Sequence, residues 1–264
     1  MRSLFIIAYL VMTTLMNAQQ STASKQVSTF IIDAPELSTK KKIWIYLPKN
    51  YAITTKKLPV IYMPDAQNLF DKETSYVGEW KVDETLDSLN AQVIIVGIDN
   101  GNDKRLEELT PYPNEKYGGG KADRYLEFII KTLKPHIDKT YRTKKDKKQT
   151  AIFGSSLGGL VSFYALLKYP QVFGKAGVFS PSFWFSDEIY KLAENTKKLR
   201  SKIYFLAGDS ESKDMVSDLD KMERIVDKKR CPCKNLNKKI VIKGGQHNEK
   251  LWRESFAKAY LWLM

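Results

Sequence analysis

Residues 151–160 read AIFGSSLGGL, and the interpretation of this stretch decides the fold. An apolar run, Gln149 to Phe153, stops at Gly154, and a long helical pattern, LGGLVSFYALLKYP, begins at Leu157. Between them, Gly154-Ser155-Ser156-Leu157-Gly158 fits G-x-S-x-G. In that pattern a serine on a sharp strand-to-helix turn projects its hydroxyl from the backbone, and the helix N-terminus offers positive potential to an oxyanion. Three fixed positions match by chance roughly 0.1 times in a chain of this length. The strand before and the helix after therefore carry more weight than the pattern itself. Glycine spacing also chooses between the serines. Centring on Ser155 would require glycine at Phe153 and Leu157, whereas Ser156 has glycine two residues away on both sides.

Outward from the turn, short apolar runs alternate with helical patterns. Strands are expected at Lys41 to Pro48, Leu58 to Asp65, Ala91 to Asp99, Gln149 to Ser155, Lys175 to Pro181, Lys202 to Asp209 and Lys238 to Gly245. Most are apolar throughout their middle, as strands covered on both faces are. Helical stripes follow at Leu126, Ile129, Ile130 and Leu133, with Pro135 disturbing the end of that segment. Others are Met215, Leu219, Met222 and Val226, and Trp252, Phe256 and Tyr260. This alternation predicts an α/β fold with a mostly parallel central sheet and helices on both faces. Asn100 to Asp123 is the longest stretch without a pattern, a length at which loops are commonly functional.

A serine hydroxyl needs a base. The chain has two histidines. His136 precedes the turn on a helical segment, while His247, in GGQHNE, follows the last expected strand. The hydrolase order Ser…acid…His selects His247. The carboxylate that holds its tautomer should lie on a loop after a strand between the two. LAGDSESKD offers Asp209, Glu211 and Asp214, and the spacing leaves the three open. A second oxyanion donor, beside the Leu157 amide, is expected from the loop Asp65 to Asn68.

The whole chain has 264 residues and a formal net charge of +13, with 43% hydrophobic and 28% charged residues, a globular composition. Residues 1–18 hold one cation, Arg2, then an apolar run from Leu4 to about Leu15 and a small residue, Ala18. That layout predicts a signal peptide, export to periplasm or medium, and a single domain over residues 19–264 with no stable membrane insertion. The lysines form scattered pairs and triples without a nucleic-acid motif, so the basic balance reads as solvated surface, with no nucleic-acid partner. Cys231 and Cys233 would close a tight C-x-C ring, and two histidines elsewhere do not complete a zinc set. They receive no function, and no metal or organic cofactor is expected.

With these residues in place, the chain resembles the esterase group of the α/β-hydrolase superfamily. That group includes enterochelin esterases, S-formylglutathione hydrolases, mycolyltransferases and the feruloyl and acetyl xylan esterases. The resemblance is carried by YMPDAQNLFD, VGIDNGNDKRLEEL, LKPHIDKTYRT, GSSLGGLVSFYALLKYPQVFGKAGVFSPSFW, LAGDSES and GQHNEKLW, and spans roughly Lys41 to Met264. It implies Ser156 as nucleophile, His247 as general base, Glu211 as triad acid, and the backbone amides of Gln67 and Leu157 as oxyanion hole. Trp184 resembles a substrate-pocket residue. Two positions depart from the pattern: Ala66 replaces the usual glycine of the oxyanion loop, and Pro64 stands where histidine is common.

The expected function is an exported serine carboxylic-ester hydrolase working through an acyl-enzyme on polysaccharide acyl esters or a siderophore-type lactone. The competing expectations are acyl transfer on the same triad and a non-catalytic glycan-binding protein of the same fold.

Overall fold

The expected strands form, and one unanticipated strand precedes them. The computed structural model describes residues 21–230 and 236–264, so the expected signal peptide and both cysteines lie outside the described residues. The chain begins with β1 (Val27–Ala34), β2 (Thr39–Tyr46), β3 (Val60–Pro64), α1 (Val82–Ser88) and β4 (Ile94–Ile98). It continues through α2 (Arg105–Leu109), a two-residue hairpin of β5 (Pro113–Asn114) and β6 (Gly118–Gly119), α3 (Ala122–Glu127) and α4 (Lys134–Thr140). Then come β7 (Thr150–Ser155), α5 (Leu157–Lys168), β8 (Lys175–Phe179) and α6 (Glu188–Asn195). The last elements are β9 (Lys202–Gly208), α7 (Met215–Lys228), β10 (Asn237–Ile242) and α8 (Glu249–Leu263).

Eight strands make one sheet in the order β1-β2-β4-β3-β7-β8-β9-β10. β2 pairs antiparallel with both β1 and β4, and every other pairing is parallel. β2 alone is reversed. The central strands β3, β4, β7 and β8 are buried along their whole length. Alternation along them feeds two cores. Val60, Tyr62 and Ile152 face the layer of α3 to α7, while Ile61, Met63 and Phe153 face α1 and α8. The mostly parallel α/β sheet with helices on both faces is the α/β-hydrolase fold that the sequence predicts.

Three local readings need correction. β1 escaped notice because it is an edge strand, alternating polar and apolar with one side wet, rather than a continuous apolar run. The segment Asn100 to Asp123 is not structureless: it holds α2 and the β5–β6 hairpin, both too short to show a period. Helices α3 and α4 form a continuous rod whose middle, Phe128–Leu133, widens to a π-helix just before Pro135. Proline has no N–H and its ring meets the carbonyl four residues back, so a widened turn is where the helix absorbs it.

Candidate active site

Every residue singled out for chemistry sits just beyond the carboxyl end of a parallel strand. Asp65 to Asn68 follow β3, Ser156 follows β7, Glu211 lies three residues after β9, and His247 five residues after β10. In an open α/β sheet this edge is where loops converge on a ligand.

Ser156 adopts φ 58° and ψ −122°, a backbone that side chains other than glycine rarely take. The strain persists because neighbours lock it from both sides. The Ser156 N–H donates to Phe179 O at 3.0 Å, and Ser156 O accepts from Leu160 N and Ser182 N. Glycine is obligatory beside it: a Cβ on Gly154 would lie 2.5 Å from Gly158 O, and one on Gly159 would lie 2.7 Å from Phe179 O. Those glycines let α5 abut the strand ends directly. The Ser156 hydroxyl is 3.3 Å from Ser182 Oγ, and no hydrogen bond joins it to His247 in this conformation.

His247 Nδ1 stands 2.6 Å from Glu211 Oε2. The Glu211 side chain is 1% exposed, against 36% for the His247 side chain, so the carboxylate is sealed behind an imidazole that still reaches the cleft. Glu211 Oε1 accepts from Ser180 Oγ at 2.7 Å and from Gly208 N at 2.5 Å. Of the other two acids at the end of β9, Asp209 is spent on the Ser210 hydroxyl and Gly244 N–H, and Asp214 precedes α7.

Gln67 and Leu157 occupy the first turns of a 3-10 helix (Ala66–Asn68) and of α5, where an amide has no intrahelical acceptor. Asp65, at φ 58°, opens the first of these turns. Its carboxylate is gripped by Arg105 through Nε at 2.7 Å and the guanidinium NH2 at 2.8 Å, and by Asn100 Nδ2 at 2.9 Å. The two departures from the group's pattern are absorbed by packing. Ala66 is buried against Gly97, where a Cβ would lie 2.8 Å from the Ala66 methyl, and Pro64 covers Gly158 at 3.1 Å by the same measure. Ser156, Gln67, Arg105, His247 and Glu249 all line one cleft of about 760 Å³. Burial raises the Glu249 carboxyl above its ordinary value, with Asp65 adding to the rise and His247 and Arg105 opposing it.

Residues 34–263 match the family model described as "Putative esterase". The chain belongs to this family. It is a carboxylic-ester hydrolase by that membership. The esterase is 27% identical over 188 residues to an uncharacterised Bacillus subtilis protein, YbbA, covering 65% of this chain and 73% of that one. It is 38% identical over 84 residues to the ferri-bacillibactin esterase BesA of the same organism, 31% of this chain and 28% of that protein. The crystal structure of the BES protein from Bacillus cereus superposes with a TM-score of 0.72 at 21% identity, covering 93% of this chain and 97% of that one.

Sequence reasoning missed two residues of the esterase's site. Ser180, fully buried at φ 43°, donates to Glu211 and accepts from Trp252 Nε1 at 2.8 Å. Trp252 in turn sets its indole edge-on to the His247 ring, with centroids 5.2 Å apart. No motif marks these side chains; Ser180 reads as the end of a strand and Trp252 as part of a helical stripe. Trp184 lies outside the cleft that Ser156 lines. It is 55% exposed and packs edge-on against Tyr117 beside the β5–β6 hairpin. Among the described residues no helix is long and apolar enough to cross a membrane.

Proposed function

We propose that this esterase is exported by its first 18 residues and cleaves its ester through an acyl-enzyme on Ser156. The observation that carries the reading is the 2.6 Å contact between His247 and the buried Glu211, at the cleft that Ser156 lines. With Glu211 Oε2 as acceptor, the imidazole keeps its proton on Nδ1 and turns Nε2 toward the cleft as the base. A change of side-chain rotamer brings Nε2 and the Ser156 hydroxyl together, as such pairs tighten when substrate binds. Ser156 Oγ then attacks the ester carbonyl while His247 takes its proton. The tetrahedral oxyanion is met by the Gln67 and Leu157 amides, and His247 returns the proton to the departing alcohol. Water, deprotonated by the same imidazole, releases the acid and restores Ser156.

Export and the breadth of the cleft favour a bulky external ester, either an acyl ester of a polysaccharide or a siderophore-type lactone. Similarity to part of a ferri-bacillibactin esterase supports the second of these. Turnover of p-nitrophenyl acetate should fall by roughly 10⁴-fold or more in Ser156→Ala. Wild-type turnover in that variant would overturn the assignment of the nucleophile. Acetylated xylo-oligosaccharide, feruloylated arabinoxylan and a catechol trilactone, assayed side by side, distinguish the substrates. Edman sequencing of the exported protein is expected to begin at Gln19.

A further inference from the structure

Around the first turn of α1, three buried carboxylate oxygens and one buried hydroxyl oxygen have no hydrogen-bond partner. They are Ser24 Oγ, Glu79 Oε1, Asp83 Oδ1 and Glu84 Oε2. Asp83 is 0% exposed and Glu79 4%, and one carboxylate oxygen from each of Glu79, Asp83 and Glu84 lies within 4.8 Å of the other two. The remaining oxygens are occupied. Asp83 Oδ2 accepts from Ser24 N at 2.7 Å, and Glu79 Oε2 from the Thr22 hydroxyl at 3.2 Å. Glu84 Oε1 faces the exposed ammonium of Lys81 at 3.7 Å. Arg253, the other nearby cation, donates through NH1 to the main-chain O of Glu79.

Acids in the first turn of α1 complement the helix dipole, which accounts for Asp83 and Glu84 being acidic. It does not account for the inaccessible Glu79 and Asp83 each keeping an unpartnered oxygen in a group of three carboxylates, where burial makes each unpaired charge costly. Nor do the nearby cations explain it: Lys81 meets only Glu84, on its Oε1, and Arg253 meets only the main-chain O of Glu79. A bound cation would satisfy the three carboxylates at once.

We propose that Glu79, Asp83 and Glu84 form a structural site for a divalent cation of the calcium class, pinning the segment Ser21–Ser24, which hydrogen-bonds Glu79 and Asp83, to α1. The donor set is oxygen only, the choice of a hard cation. A cage of protein carboxylates suits calcium, whereas magnesium keeps several of its waters and is held by one or two carboxylates. The cation takes no part in ester cleavage.

Chelator-treated protein is the starting material, read by thermal unfolding and by terbium luminescence sensitised through the buried Trp80, which adjoins Glu79 in sequence. Calcium at 1 mM should raise Tm by on the order of 5 °C, with a smaller rise for magnesium. Asp83→Asn and Glu79→Gln should each abolish that increment and the terbium signal. In chelator their own Tm should equal or exceed that of the wild type, because like-charge repulsion is relieved. Glu84→Gln, at a half-exposed position, should fold normally and bind at least tenfold more weakly. An absent calcium response in the wild type, or an equal response in Asp83→Asn and Glu84→Gln, would overturn the site and leave a shared proton as the explanation of the cluster.

Discussion

The buried hydroxyl of Ser180 donates to Glu211 Oε1 at 2.7 Å, from a residue whose own backbone is held at φ 43°. The same hydroxyl accepts from Trp252 Nε1, and Trp252 backs the His247 ring, so one serine ties together the carboxylate and the wall behind the imidazole. Ser180→Ala should leave the indole N–H without an acceptor and cost about 1–3 kcal/mol of stability by denaturant unfolding. The same variant should lower kcat roughly tenfold with KM little changed, because it loosens Glu211 without touching substrate. Trp252→Phe, which keeps the Ser180–Glu211 bond, should lose less kcat.

Glu211→Gln should lose most activity, since the amide presents the wrong partner to His247 Nδ1 or leaves it free to take the other tautomer. Asp209→Asn and Asp214→Asn should retain most of theirs, because neither touches the imidazole. Steady-state kinetics on the three purified variants decides among them, and equal loss at Asp214 would move the role there.

Gly154→Ala forces a methyl to within 2.5 Å of Gly158 O, a backbone atom that cannot swing aside. Stability should drop on the order of 2–3 kcal/mol as α5 shifts, and activity should fall further because Ser156 rides on that turn. Calorimetry and p-nitrophenyl acetate turnover measure the two losses separately.

Ala66 and Gly97 should be coupled. Gly97→Ala alone places its methyl 2.8 Å from that of Ala66, and also crowds Phe70 and Trp44 at 3.2 and 3.3 Å. Its cost should shrink by about 1 kcal/mol when Ala66→Gly is made with it, a coupling read by a double-mutant cycle of unfolding free energies. Additive losses would mean that the crowding comes from the two aromatic side chains instead.

Lys175 begins β8, 9% exposed, with Met264 Sδ as its hydrogen-bond acceptor at 3.8 Å. Burial pushes its ammonium down from 10.5 to about 8, and Lys202 and Lys144 add to the effect. Below pH 8 the folded protein carries a charge it would rather lose. Between about 8 and 10.5 the unfolded chain binds the proton that the folded one has shed, so stability rises with pH across that window. The gain should be about 3 kcal/mol, accumulating at roughly 1.4 kcal/mol per pH unit. Lys175→Met should abolish this rise and be the more stable protein at pH 7, as urea unfolding at pH 7, 9 and 10 would reveal.

The sheet was legible because its central strands are covered on both faces and so are written as apolar runs, from Val60–Pro64 to Lys202–Gly208. The serine was legible as well, since the turn that strains Ser156 needs glycine at 154, where a Cβ would strike Gly158 O four residues on, and that requirement is local in the chain. Chain order picked out His247 over His136, which is exposed on α4. Beyond that, the sequence alone stopped at a choice among Asp209, Glu211 and Asp214, until family resemblance pointed to Glu211. Only the tertiary structure joins Glu211 to His247, and Ser180 to both Glu211 and Trp252, because those contacts span 31 to 72 residues and leave no spacing to detect. The same holds for the oxygens gathered around Asp83. A residue's place on a strand or turn follows from its immediate neighbours, whereas the partner of a buried polar atom depends on which distant loops the sheet brings to one edge.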